Sequence, residues 1–341
     1  MRVAWPLVPA LVVLVPLAGF GLLRVDGLMW FLTGSLLVLA GVLAMHDPWA
    51  GTLAGYTLFR WLTPPRALGL ETSASVVLGL GLLVASQAIP QRWDKMVKLT
   101  ITIAAVVQVI VATGQEYFYD PLWLGFVQKP ELVKVHGTLG NPMYMGTFVG
   151  IVGAVVHWAF LPAMLWGVFL SRSVTAAIAV AAGLLVRWRK HWKLSVPAAL
   201  AIVSWEFWAR GRSLSTWNHR LAVWTIAGKE WLRFPSAIFI GFGPGSWLRA
   251  WPSVGQSREN LEVFAQAHNE YIQAGFEGGL VALALVGGWI WWHRRDLARS
   301  PWLPAAVAVA AASVGFFPFQ VPGTAVLSLM MVGVASRKGD A

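Results

Sequence analysis

The chain has 341 residues, 57% of them hydrophobic and only 12% charged, and its mean hydropathy is +0.64. Soluble domains carry about a quarter charged residues, so this composition excludes an ordinary soluble globular chain. The net charge of +11 does not indicate nucleic acid, because the basic residues cluster at the edges of apolar runs. With no cysteine, disulfides and thiol chemistry are excluded as well.

A bilayer-crossing helix needs roughly 20 mostly apolar residues, and the long uncharged runs predict an all-α, polytopic integral membrane protein. About 12 transmembrane helices are expected, over 4–23, 28–45, 49–63, 73–90, 98–113, 142–157, 158–171, 173–187, 194–209, 267–292, 302–318 and 321–335. The first could pass for a signal peptide, but it lacks a polar cleavage region and another span follows at once, so it reads as a retained helix. The third is short and carries Arg60, which makes it a candidate re-entrant segment. Four regions follow: N-terminal helices over 1–113, a central region over 114–209 with an outer loop at 114–141, a large outer loop over 210–266, and C-terminal helices over 267–341.

Orientation comes from charge. Clusters such as Arg187-Trp188-Arg189-Lys190 and His293-Arg294-Arg295 each follow an apolar span, the positive-inside pattern. With both termini inside, 13 lysines and arginines fall on inner segments and 6 on short outer loops. The 21 tryptophans fit interfacial anchoring.

The long loop over 210–266 is rich in aromatics and predicts a folded, partly helical cap. Its Gly241-Phe242-Gly243-Pro244-Gly245 run resembles a nucleotide cradle only superficially. No βαβ context precedes it and Pro244 removes a backbone donor, so it predicts a tight turn.

Three ionisable residues stand out on the outer side. His268 sits where the loop re-enters the membrane, and a neutral histidine can accept a proton at physiological pH. Asn269 and Glu270 beside it could orient it, although neighbouring helical residues do not face each other. Arg172 lies between two apolar runs with no charge nearby in sequence, and the alternative to a binding role is a snorkelling arginine at a helix end. Arg220 opens an amphipathic segment, with a solvated loop cation as its alternative. Guanidinium forks suit phosphate oxygens. Two cations and a histidine together suggest a site for an anionic leaving group and an activated hydroxyl. No metal-binding motif is present, so neither metal nor cofactor is expected.

Taken in order, four segments resemble the O-antigen ligase and O-antigen polymerase superfamily of bacterial envelope enzymes. They are His136-Gly137-Thr138-Leu139-Gly140-Asn141-Pro142; Leu170-Ser171-Arg172-Ser173; Arg220-Leu221-Ala222-Val223-Trp224 leading to Gly241-Phe242-Gly243-Pro244-Gly245-Ser246; and His268-Asn269-Glu270-Tyr271 running into Glu277-Gly278-Gly279-Leu280. The resemblance covers roughly residues 136–290. It implies transfer of a glycan from a polyprenyl diphosphate carrier to an acceptor hydroxyl, on a glycan or a lipid-linked acceptor, without metal and with inversion. Arg172 and Arg220 would hold the diphosphate, His268 would act as base, and Asn269, Glu270 and Asn141 would support them. The protein would lie in the bacterial inner membrane, in contact with lipid, with its site on the periplasmic side and both termini cytoplasmic. Two alternatives remain open: a transporter or permease for a small anion carrying the same signature, and a glycosyltransferase that uses Asp26 as base.

Overall fold

A computed structural model describes residues 36, 38–62, 69–117, 135, 137–208, 215–247 and 266–338. The expected span over 4–23, Asp26, His136 and most of the 114–141 loop lie outside the described residues. Among those described, every regular element is helical, as expected of an all-α chain. Residues 38–46 are helical and precede α1 (Pro48–Leu62), α2 (Gly69–Gln87), α3 (Asp94–Tyr117), α4 (Pro142–Gly153), α5 (Leu161–Ser171) and α6 (Val174–Arg187). Then come α7 (Trp192–Trp208), α8 (Ser215–Arg233), α9 (Pro235–Ile240), α10 (Glu270–Arg299), α11 (Leu303–Ala312) and α12 (Pro322–Ser336).

Among the described residues, two helical stretches are long and apolar enough to cross a bilayer, Gln91–Tyr117 with 27 residues and Glu270–Arg299 with 30. Six further apolar helices have 10–17 residues. About a third of each long apolar window is buried (33% and 28%), so most of that apolar surface faces outward. On α3 the outward residues Met96, Leu99, Ile103, Val107 and Ile110 recur at helical spacing along one face.

The chain divides into two compact units. The first draws on Met1–Ala88 and Ser215–Arg295, the second on Ile89–Leu214 and Asp296–Ala341.

In the first unit, α1 lies antiparallel to α10, tied at both ends. At one end Asp47 caps α1, accepting from the backbone N–H groups of Trp49 (3.1 Å) and Ala50 (3.2 Å). The same carboxylate accepts from Trp289 Nε1 (2.9 Å) and Gln87 Nε2 (3.2 Å), and lies 2.9 Å from His293 Nε2. Burial alone would raise the Asp47 carboxyl, but the bond to His293 and the other donors outweigh it and hold it at about 2. At the other end, thirteen residues or ~20 Å further along α1, Arg60 donates from Nε to the Ile240 carbonyl and from Nη2 to that of Gly241, both at 2.9 Å. One turn earlier, the Tyr56 hydroxyl sits 2.7 Å from the Gly278 carbonyl. Residues 48–62 thus form one continuous helix laid along α10.

Small residues build the second unit. A Cβ on Gly150 of α4 would meet the Ala176 carbonyl of α6 at 2.8 Å, and one on Gly146 would meet Ser171 Oγ at 2.2 Å. On α6, a Cβ at Gly183 would meet Ala154 Cβ at 2.3 Å and the Pro304 carbonyl at 2.9 Å. Helices in lipid associate through such close backbone approach. Around these contacts Met145, Val149, Val152, Met164, Val180, Val309 and Met331 form the core.

Several expected boundaries shift. The span expected from 142 to 157 ends as α-helix at Gly153, and a short 3-10 turn, Trp158–Phe160, precedes α5. The tenth span begins at Glu270, not 267, because Asn269 caps it, and it continues to Arg299. It is also broken internally at Gly279, whose φ of 66° and ψ of −168° are non-helical.

Candidate functional site

The loop preceding α10 is held by a chain of hydrogen bonds that begins at Glu277. This carboxylate accepts from the backbone N–H groups of Gly245 (3.1 Å) and Trp247 (3.3 Å) and from Gln273 Nε2 (3.2 Å). Gln273 passes the order on, its Oε1 accepting from the Ala267 N–H at 3.1 Å. The Ala267 carbonyl in turn accepts from Trp224 Nε1 of α8 at 2.6 Å. Both polar groups of Ala267 are therefore fixed. Asn269, on the other side of His268, caps α10 through Oδ1 to the Ile272 N–H (3.0 Å), and its own carbonyl accepts from the Gln273 N–H (3.0 Å).

Between these anchors His268 takes φ 53°. Such a backbone is uncommon for a residue with a Cβ and persists when the surroundings over-determine it. Across the described non-glycine residues, positive φ occurs at His268 and at Arg172.

Arg220 lies on the inward face of α8 with Val223, Trp224 and Ala227, one turn before the tryptophan that holds Ala267. It is 9% exposed, which removes the solvated-cation reading. Burial lowers its guanidinium from the usual value. The His268 imidazole is pushed down to about 4, first by burial and then by the positive charge of Arg220. At neutral pH this places an uncharged imidazole beside a buried guanidinium, so a proton acceptor and an anion-binding group occur together.

The glycine run over 241–245 is a turn, as expected, but its donors have a use that sequence did not reveal. Phe242 and Gly243 donate to the carbonyls of Phe276 and Glu277, both at 2.9 Å, while Gly245 serves the Glu277 side chain. A Cβ on Gly241 would meet the Glu277 carbonyl at 2.3 Å, and one on Gly279 would meet the Phe239 carbonyl at the same distance. The turn and the break in α10 interlock backbone to backbone, and the N–H groups of Phe242, Gly243 and Gly245 are committed to the Phe276 and Glu277 carbonyls and the Glu277 carboxylate. Glu277 is thus the functional-region residue missed as a candidate, although a glutamate inside an apolar span is itself the signal for one.

Arg172 belongs to the second unit. It ends α5 in the left-handed conformation (φ 54°, ψ 37°), and Ser173 caps α6 by accepting from the Ala176 N–H at 3.2 Å. Sequence isolates Arg172 from other charges, whereas the fold supplies Glu116, 56 residues earlier, with Nη2 to Oε1 at 3.2 Å. The arginine side chain is 52% exposed. Asn141 also lies in this unit and caps α4, accepting from the Met143 N–H at 2.8 Å. The stretch 137–138 before it is docked on α3: Gln115 pairs with both polar groups of Gly137, and Gln108 pairs with Thr138. Glu270 begins α10, where a negative charge suits the helix dipole.

Compared with known proteins, the chain matches no family model and no curated relative.

Proposed function

We propose that the protein is a membrane glycosyltransferase that moves a glycan from a polyprenyl diphosphate carrier to an acceptor hydroxyl, as a ligase or a polymerase. The observation that carries this reading is the pairing of His268, neutral and held in a strained backbone, with the buried Arg220, just ahead of a helix able to cross a bilayer. The ordered segments that resemble the O-antigen ligase and polymerase superfamily agree with it. In this mechanism His268 removes the acceptor proton as the hydroxyl oxygen attacks the anomeric carbon from the face opposite the diphosphate. Inversion follows, and the negative charge growing on the leaving diphosphate is stabilised by Arg220 and Arg172. The guanidinium forks take the part that a metal ion plays elsewhere, so the reaction should run in excess chelator.

The site faces the periplasmic side of the inner membrane in this reading, with both termini cytoplasmic. The outward apolar faces of the two long helices support embedding in lipid. Because the chain lacks cysteine, exposed single cysteines test the orientation. Lys229→Cys should label with an impermeant thiol reagent in spheroplasts and Lys190→Cys should not; the reverse would invert the topology.

One observation favours a transporter, the interruption of α10 at Gly279, since solute carriers use broken helices to expose backbone to a substrate. Here the carbonyls of Phe276, Glu277 and Gly278 are already taken by Phe242, Gly243 and Tyr56, which leaves the enzyme as the better reading. The deciding experiment is reconstitution in liposomes with a lipid-linked glycan donor. Transfer to an acceptor supports the enzyme, and solute flux without transfer overturns it.

A further inference from the structure

Arg60 carries a charge into the third apolar run of the chain, and no step of the proposed chemistry uses it. It is 8% exposed. A buried guanidinium is costly unless acceptors meet its donors. Two of those acceptors are the carbonyls of Ile240, the last residue of α9, and of Gly241, which caps that helix. The final carbonyls of a helix lack partners within it and carry partial negative charge, so Arg60 is held where α9 passes into the glycine run. Its Nη2 would stand 3.9 Å from a Cβ on Gly243, which places the guanidinium against the turn as well as at its entrance. On the same face of α1, four residues earlier, the Tyr56 hydroxyl lies 2.7 Å from the Gly278 carbonyl and 3.1 Å from that of Ile240. Tyr56 therefore spans both sides of the interlock that Arg60 fixes on one.

What this clamp holds leads to His268. The turn donates from Phe242 and Gly243 to the Phe276 and Glu277 carbonyls, and Gly245 and Trp247 donate to the Glu277 carboxylate. Glu277 accepts from Gln273, and Gln273 accepts from the N–H of Ala267, the neighbour of His268. These links are all 2.9–3.3 Å long. We infer that Arg60 is a positioning residue for His268: it sets the turn over 241–245, and the turn sets the loop that carries the imidazole. The charge acting on His268 is that of Arg220, so Arg60 works through the backbone. Lysine would keep the positive charge, but a single ammonium does not place two donors on successive carbonyls as the planar fork does. The effect on turnover rests on the glycosyl-transfer reading; the coupling of Arg60 to His268 does not.

The test compares the full chain in detergent with Arg60→Lys, Tyr56→Phe and Leu58→Ala. Leu58 lies on the same helix but belongs to the apolar core shared by α1 and α2. Two quantities are read: kcat and KM for glycan transfer, and the rate at which diethyl pyrocarbonate modifies His268, followed by peptide mass spectrometry. Small misplacements of a reacting group cost up to about 100-fold in rate, so Arg60→Lys should lower kcat by about 10–100-fold with KM little changed. Its His268 should be modified severalfold faster. Tyr56→Phe should move both in the same direction by less, and it decides the matter if Arg60→Lys does not fold. Leu58→Ala should lower the unfolding temperature and move neither. Wild-type kcat or wild-type modification in Arg60→Lys overturns the inference. So does an equal response in Leu58→Ala, which would show general loosening of the unit. If the wild type transfers no glycan, the glycosyltransferase reading fails, while the modification rates still decide whether Arg60 orders His268.

Discussion

His268 in the first unit and Arg172 in the second share a left-handed backbone, at φ 53° and 54°, but little else. His268 is pinned on both sides by side chains that are themselves held, and the charge acting on it comes from a buried arginine. Arg172 is a helix terminator, half in solvent, whose charge already meets Glu116. A buried cation is a fixed part of its surroundings: its charge acts through a low-dielectric medium and cannot be exchanged for solvent. An exposed ion pair is worth about 0–1 kcal/mol, so the pair of Arg172 with Glu116 opens at small cost. Arg220 is therefore a fixed charge of its unit, whereas Arg172 keeps its charge at an exposed helix end.

The largest expected effect breaks the histidine side of this comparison. His268→Ala should lower turnover by about 10²–10⁴-fold while donor binding survives, since that is what a general base supplies; single-turnover transfer and donor binding measured separately will tell. Full activity in this variant would end the mechanism.

Next is the frame of each unit. In the second, Gly150→Val should cost about 1–3 kcal/mol through overpacking, because the new Cβ meets a backbone carbonyl. In the first, Gly228→Ala on α8 meets open space and should stabilise by roughly 0.5–1 kcal/mol. Thermal unfolding in detergent measures both.

Comparable in size is Glu277→Gln, which turns an amide NH₂ toward donors that need an acceptor and should cost about 1–3 kcal/mol. Its particular signature is a fall in kcat with KM little changed, because the Gln273–Ala267 link orders His268 and touches no donor. A variant with normal kcat would show that the network serves stability alone.

A smaller effect concerns pH. The folded imidazole is lowered to about 4 from 6.5, so its contribution to stability is present above 6.5 and is lost as pH falls through about 4. For catalysis, the acid limb of kcat/KM should sit near 4. Arg220→Gln removes the lesser of the two causes, so the limb should rise but remain below 6.5, where burial still holds it. A limb unmoved by this change would separate Arg220 from His268. Smallest of all, Glu116→Gln should alter stability by less than about 1 kcal/mol and leave donor affinity equal or higher, since Arg172 loses its competitor; weaker donor binding would show that Glu116 orients Arg172 for the donor.

Much of the helical plan was legible because apolar run length and capping residues are local signals. Pro142 after Asn141, Ser173 before α6 and Pro322 at the start of α12 mark helix starts where they occur. His268, Arg172 and Arg220 were legible as ionisable residues at apolar boundaries. What escaped was every partnership that closes a long loop. Glu116 with Arg172, Gly245 with Glu277 and Asp47 with His293 are separated by 56, 32 and 246 residues, and no periodicity carries information over such distances. The break at Gly279 escaped for a related reason: it follows from the approach of Phe239, which the sequence of α10 alone does not contain.

The antiparallel pairing of α1 with α10 also bears on how the protein is made. Asp47 and Arg60 emerge early from the ribosome, whereas His293 and Trp289 follow about 240 residues later. At roughly 5–20 residues per second, the nascent chain spends on the order of 10–50 s with Asp47 lacking its imidazole and indole. During that interval the first unit is unfinished while α3 to α7, contiguous in the chain, can already pack. Translation stalled before α10 would release a product in which both units are unfinished, the second lacking α11 and α12 and the first leaving Asp47 without Trp289 and His293.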